Sequence, residues 1–159
     1  MLEKNQIPAL DIVQSTARMM KTLLARRLYE FGLYAGQDRI ILSLALKDGQ
    51  SPGSLAKQLG VKPPTITKTI ARLQEQGFVT KRSSHKDQRQ LHVFLTKDGH
   101  KIVKLIKSAI ADTEKDITSG LDEGEHLMLL ALLGRIQKNV QNQQVELSNL
   151  YIDGENDVL

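Results

Sequence analysis

From Leu10 to Phe31, apolar residues recur at three- and four-residue steps: Ile12, Val13, Ala17, Met20, Leu23, Leu24, Leu28 and Phe31. That period predicts a long amphipathic helix, opened after Pro8 and closed near Gly32. Ile40, Ile41, Leu44 and Ala45 predict a second helix, ended by Lys47-Asp48-Gly49. Ser51 reads as an N-cap with Pro52 at the first helical position, opening a short third helix that runs to Gly60. A fourth helix is expected to start at about Pro64, because a residue that precedes proline is pushed out of the helical region. It carries Ile66, Ile70 and Leu73 on one side and ends at Gly77. At 100° per residue these three fall within about 60° of one another. Pro64, Thr65, Lys68, Ala71 and Arg72 then lie opposite, a small, polar and basic outer face.

The period changes at Phe78. Phe78-Val79-Thr80-Lys81-Arg82 and Leu91-His92-Val93-Phe94-Leu95 read as two strands of a hairpin with a polar, basic tip from Ser83 to Gln90. Helix returns at Lys97, with Ile102, Val103, Leu105, Ile106, Ala109, Ile110 and Ile117 forming a stripe that ends near Gly120. A last helix carries Leu127 through Val140, extending toward Val145 and Leu147, and the final residues 151–159 are expected to fray. The predicted fold is mainly α with a small two-stranded β wing. The domain boundaries expected are an N-terminal helix (1–36), a winged helix-turn-helix (37–99), C-terminal helices (100–150) and the tail.

Composition narrows the chemistry. The 159 residues include no cysteine, which excludes disulfides, thiolate zinc sites, iron–sulfur clusters and thiol catalysis. The opening MLEKNQIPALD lacks the apolar stretch of a secretory signal, and Leu127 to Leu133 is too short to span a bilayer. A cytoplasmic protein that does not act on membranes is the expectation. There is no Walker loop, GxSxG, HExxH or dinucleotide glycine pattern, so no enzymatic activity and no cofactor are expected. The histidines, at 85, 92, 100 and 126, lack the i, i+3 or i, i+4 helical spacing of a metal pair, so no metal ligands are assigned.

Charge is unevenly placed. Residues 57–104 hold eleven Lys and Arg against three acids, whereas residues 112–159 hold three bases against ten acids. A basic middle suits a polyanion, because cations that contact phosphates release condensed counterions. A solvated charged face would carry the same composition, so charge alone leaves both readings open. The order of elements adds to it. Two short helices separated by Gly60-Val61-Lys62-Pro63 have the spacing of a helix-turn-helix, whose second helix enters the DNA major groove with its N-terminal residues at base edges. The DNA-contact candidates are Ser51, Lys62, Pro64, Thr65, Thr67, Lys68 and Arg72, with Lys81, Lys86, Gln88 and Arg89 from the hairpin.

These segments resemble the MarR family of dimeric winged helix-turn-helix transcriptional regulators. The resemblance rests on Gly32-Leu33 and Gln37, Leu55-Ala56-Lys57-Gln58-Leu59, Thr65 through Leu73, and Gly77-Phe78-Val79. It continues through Asp87-Gln88-Arg89 to Leu95-Thr96-Lys97-Asp98-Gly99, a D-x-R followed by L-T-x-x-G. Pro63-Pro64 departs from the small polar residues often found at that position in the family. The resemblance implies a homodimer, formed by the flanking helices, on a pseudo-palindromic double-stranded operator. It implies that Arg89 is a minor-groove wing-tip residue, oriented by Asp87. It also implies repression relieved by a small phenolic or carboxylate effector held between the long helices and the winged domain. Arg18, Arg26 and Gln37 are the candidates for that pocket, against the alternative of an exposed helix face or an intersubunit ion pair. A protein–protein interaction module and a metal-responsive regulator are the competing functional readings.

Overall fold

The structure, a computed structural model, describes residues 8–83 and 91–154. Its elements run α1 (Ala9–Tyr29), α2 (Gln37–Leu46), α3 (Pro52–Leu59), α4 (Pro63–Glu75), β1 (Val79–Ser83), β2 (Leu91–Leu95), α5 (Lys97–Ile117) and α6 (Glu123–Gly154). The mainly helical reading with a two-stranded wing holds. Helix α6 continues as backbone beyond Leu147 into the segment expected to fray. The chain forms two compact units, residues 1–117 and 118–159, so α1, the helix-turn-helix, the wing and α5 share one body.

The core of that body collects the apolar stripes of every element in it. Leu28 from α1, Ile40, Ile41 and Leu44 from α2, and Leu55 from α3 are buried. They meet Ile66, Ile70 and Leu73 of α4, Val79, Val93 and Leu95 of the sheet, and Ile102 and Ile106 of α5. Side chains of this size contribute about 1.5–3 kcal/mol each when fully buried. Helix α1 is further tied to α5 by Arg27, whose guanidinium donates to Thr113 Oγ1 at 2.7 Å and pairs with Asp116.

Strands β1 and β2 pair antiparallel, from Val79 opposite Leu95 to Ser83 opposite Leu91. Gln50 adds a single bridge to Val93, its carbonyl accepting the Val93 N–H at 2.8 Å. The turn before α3 is thereby docked on β2, and Asp48 Oδ1 reinforces it by accepting the Leu95 N–H at 3.0 Å. Gly49 sits between these contacts at φ +69°, where a Cβ would lie 2.7 Å from the Phe94 ring.

The L-T-x-x-G sequence acquires a physical meaning at the start of α5. Leu95 is buried, and Thr96 Oγ1 accepts the Gly99 N–H at 3.0 Å as an N-cap. The same hydroxyl donates to the Gly77 carbonyl at 2.6 Å, and the Thr96 N–H donates to the Phe78 carbonyl at 3.0 Å. Helix α5 consequently approaches the start of β1 so closely that a Cβ on Gly99 would stand 2.1 Å from the Phe78 oxygen. The obstacle is backbone and cannot rotate away. Gly99→Ala is expected to lower unfolding stability by about 1–3 kcal/mol, the range for overpacking a tight site. Urea denaturation of the variant against the parent chain checks this; an unchanged midpoint would contradict the close approach.

Candidate nucleic-acid interface

Helix α4 is held by its inner side. Ile66, Ile70 and Leu73 are each 2% exposed or less, so the rotation of the helix about its axis is fixed by packing. Its C-terminus closes as a Schellman motif, with Phe78 N–H donating to the Leu73 carbonyl at 2.9 Å and Gly77 N–H to the Gln74 carbonyl at 3.0 Å. That closure uses the Phe78 amide, and the strand begins one residue later than its apolar pattern predicts. At the other end the helix begins at Pro63, with Lys62 extended at φ −63°, ψ 140°. Two consecutive prolines occupy the first two helical positions, where a missing N–H costs nothing.

With the inner stripe buried, the outer residues face solvent. Lys62, Pro64, Thr65, Thr67, Lys68 and Arg72 are all exposed, and Glu75 ends the basic run at the far end of the helix. The Thr67 hydroxyl donates back to the Pro63 carbonyl at 3.0 Å, and that of Thr69 to the Thr65 carbonyl at 2.8 Å. Thr67 therefore offers outward a methyl group and acceptor lone pairs. Ser51 is half-buried and caps α3, its Oγ accepting the Ser54 N–H at 3.1 Å. Lys81 lies half-buried on β1, opposite Val93. Its neighbour Arg82 is exposed and lies over the Phe94 ring, 5.3 Å from the centroid, a cation–π contact that orients the guanidinium at the base of the wing. Lys86, Asp87, Gln88 and Arg89 lie outside the described residues.

A second concave surface lies along α1. Thr22, Ala25, Arg26, Tyr29, Leu33 and Tyr34 line an open groove of about 550 Å³, continued by a smaller hollow at Arg18, Met19 and Leu23. Tyr29 and Tyr34 pack edge to face there, with ring centroids 5.9 Å apart. Arg18 and Arg26 thus line concave surface, as their assignment to a pocket requires. Gln37 does not: it is 1% exposed, and both ends of its amide are spent internally. Its Oε1 accepts the Tyr34 N–H at 2.8 Å and its Nε2 donates to Gln76 Oε1 at 2.7 Å. Gln76 Nε2 in turn donates to the Gly32 carbonyl at 2.6 Å. Gln37 clamps the α1–α2 turn to the end of α4.

Sequence reasoning missed the polar clamps. Gln50 is the second of them, its Nε2 donating to the carbonyls of Ser43 and Lys47 at 3.1 and 2.8 Å. A glutamine at the head of an otherwise apolar helix, or next to a turn glycine, was the available sign. Electrostatics beside the site are plain: Lys101 donates to Asp98 at 2.9 Å and holds that exposed carboxyl below its usual range by hydrogen bond and charge. Among the described residues no three His, Asp or Glu side chains converge as a metal site, and no helix is long and apolar enough to cross a membrane. Gln37→Leu would strand the Tyr34 N–H and the Gln76 side-chain oxygen. A loss of about 1–3 kcal/mol is expected, measured by chemical denaturation, whereas an effector-contact residue would leave stability unchanged.

Known proteins share this arrangement. The family model described as "MarR family" matches residues 33–91, from the α1–α2 turn through the wing. Among solved structures, a mutant of E. coli MarR complexed with operator DNA superimposes with a TM-score of 0.73 at 24% identity, covering 82% of this chain and 94% of that one. The transcriptional regulator SlyA matches with a TM-score of 0.74 at 23% identity, covering 86% and 96%. S. aureus MepR in its DNA complex matches with a TM-score of 0.75 at 21% identity, covering 84% and 99%. Residues 33–91, from the α1–α2 turn to the start of β2, match the MarR family model, and the fold around them is the one these structures share.

Proposed function

We propose that the protein is a homodimeric, sequence-specific DNA-binding transcriptional regulator, acting in the cytoplasm as a repressor that a small anionic aromatic effector releases. The observation that carries the reading is the outer face of α4. It is exposed, free of bulky apolar side chains, and basic through Lys62, Lys68 and Arg72, while its inner face is locked into the core. A helix set this way can enter a major groove without disturbing the fold. The structures of MarR and MepR that hold DNA lend the same reading support.

Dimerisation is supported by apolar surface without a partner. Leu10, Ile12, Val13 and Met19 of α1 are exposed, and none of the described residues of α6 is buried although Leu127, Leu130, Leu133, Ile136 and Val140 recur along it. Exposed apolar surface of that extent marks an interface. A dimer would set two α4 helices about 34–36 Å apart, one duplex turn. The effector reading is supported by the groove at Arg26, Tyr29 and Tyr34, whose cation and two aromatic rings suit an aromatic carboxylate, with Glu30 the one acid on the same lining. Its volume is that of a small-molecule site.

Fluorescence anisotropy with duplex DNA from upstream of the gene, beside a scrambled duplex, tests the reading at several salt concentrations. The specific duplex is expected to bind at least a hundredfold tighter, with a steep salt slope. Lys68→Ala is expected to cost about tenfold, and Arg72→Ala and Arg89→Ala severalfold or more, each cation that contacts phosphate flattening the slope by about one. Benzoate added to the complex should lower affinity in the parent chain and not in Arg26→Ala. Wild-type affinity in all three DNA-face variants would refute the interface, and a monomer mass by light scattering at micromolar concentration would refute the dimer.

A further inference from the structure

The leading turn of α4 is built unlike an anion site. Pro63 and Pro64 have no N–H, and the next two amides, those of Thr65 and Ile66, both donate to the Lys62 carbonyl, at 3.0 and 3.2 Å. The positive end of the helix dipole therefore presents no free backbone donor, the group that normally receives phosphate there. The Thr67 hydroxyl adds none, because its proton is directed at the Pro63 carbonyl. Beside the exposed Lys62 ammonium and the Thr65 hydroxyl, the turn presents carbon: the exposed pyrrolidine rings of Pro63 and Pro64 and the methyl groups of Thr65 and Thr67.

Pro64 has the outermost place in this patch. At 100° per residue it lies about 160° from Ile66, on the same outward ridge as Lys68 one turn later. A phosphate or a base-edge donor pushed against that ring would lose water and gain no hydrogen bond. The base edges of the major groove hold one apolar group, the C5 methyl of thymine. Resting on the DNA-binding reading above, we propose that Pro64 is a specificity-determining residue that packs on a thymine methyl, and so demands an A·T pair opposite the first turn of α4. Lys68 and Arg72 supply the donors that read or anchor the neighbouring positions. The double proline thus trades backbone contact with phosphate for an apolar contact that discriminates one base.

The test separates this proposal from the reading beneath it. Duplexes are first selected from a random library by the full-length chain. Each thymine of the selected site is then replaced singly by deoxyuridine, which pairs identically and lacks the methyl. One thymine is expected at which the replacement weakens binding about fourfold, the effect of one buried methyl group. In Pro64→Ser the thymine-to-uracil ratio at that position should fall to one, while Pro64→Val, which restores apolar surface, should keep it. Thermal melts followed by circular dichroism confirm that both variants fold. If every thymine tolerates uracil while the selected duplex still outcompetes a scramble, or if Pro64→Ser keeps the full discrimination, the proposal is overturned and the DNA-binding reading stands. If selection returns no preferred sequence, sequence-specific binding itself fails, and the proposal with it.

Discussion

Burial of Ile66, Ile70 and Leu73 is the constraint on which the rest of the interface depends. A helix has no other means of fixing its rotation about its own axis, and a turn of one residue would swing every outer side chain by 100°. With the three apolar side chains sealed against α2, α3 and the sheet, Pro64, Lys68 and Arg72 are presented outward as a consequence of packing. The basic face is thus assembled at a place where its charges cost no desolvation in the free protein.

Polar contacts then set the ends of the helix, where apolar packing is least directional. The Schellman closure stops α4, and the Gln37–Gln76–Gly32 chain ties its last turn to the segment between α1 and α2. That segment also carries Leu33 and Tyr34, which line the groove along α1. Tyr34 contributes in addition to a hollow shared with Arg72, Glu75 and Gln76. The wall of the groove and the end of α4 are therefore joined by hydrogen bonds, two of them partly buried, which break at a cost of about 1–3 kcal/mol when a partner is lost.

The wing and α5 are joined by a different device. Thr96 caps the helix, bonds the Gly77 carbonyl and leaves Gly99 pressed on the Phe78 backbone. One short motif in this way ties the turn after α4, the start of β1 and the first turn of α5 together. Most of the acidic C-terminal segment, from residue 118 on, lies in the second compact unit, away from the positive run of residues 57–104 in sequence. Leu127, Leu130, Leu133 and Ile136 in it are exposed, and its acids disfavour contact with phosphate.

The sequence by itself determined the helices, the hairpin strands and the outward face of α4, because amphipathic period, proline and N-cap chemistry are local properties. Ser51 as a cap and the Ile66, Ile70, Leu73 stripe were both legible from spacing. It missed by one residue the starts of α4 and β1, since Pro63 is tolerated at a first helical position and the Phe78 amide is spent on the helix behind it. Only the tertiary structure decided the roles of Gln37, Gln50, Asp48 and Gly99. Each meets a partner from a distant segment: Gln76, Val93, Leu95 and the Phe78 carbonyl, respectively. A polar side chain reads as solvated until the fold shows what it touches, and a glycine reads as a turn until a neighbouring backbone occupies the space of its missing Cβ.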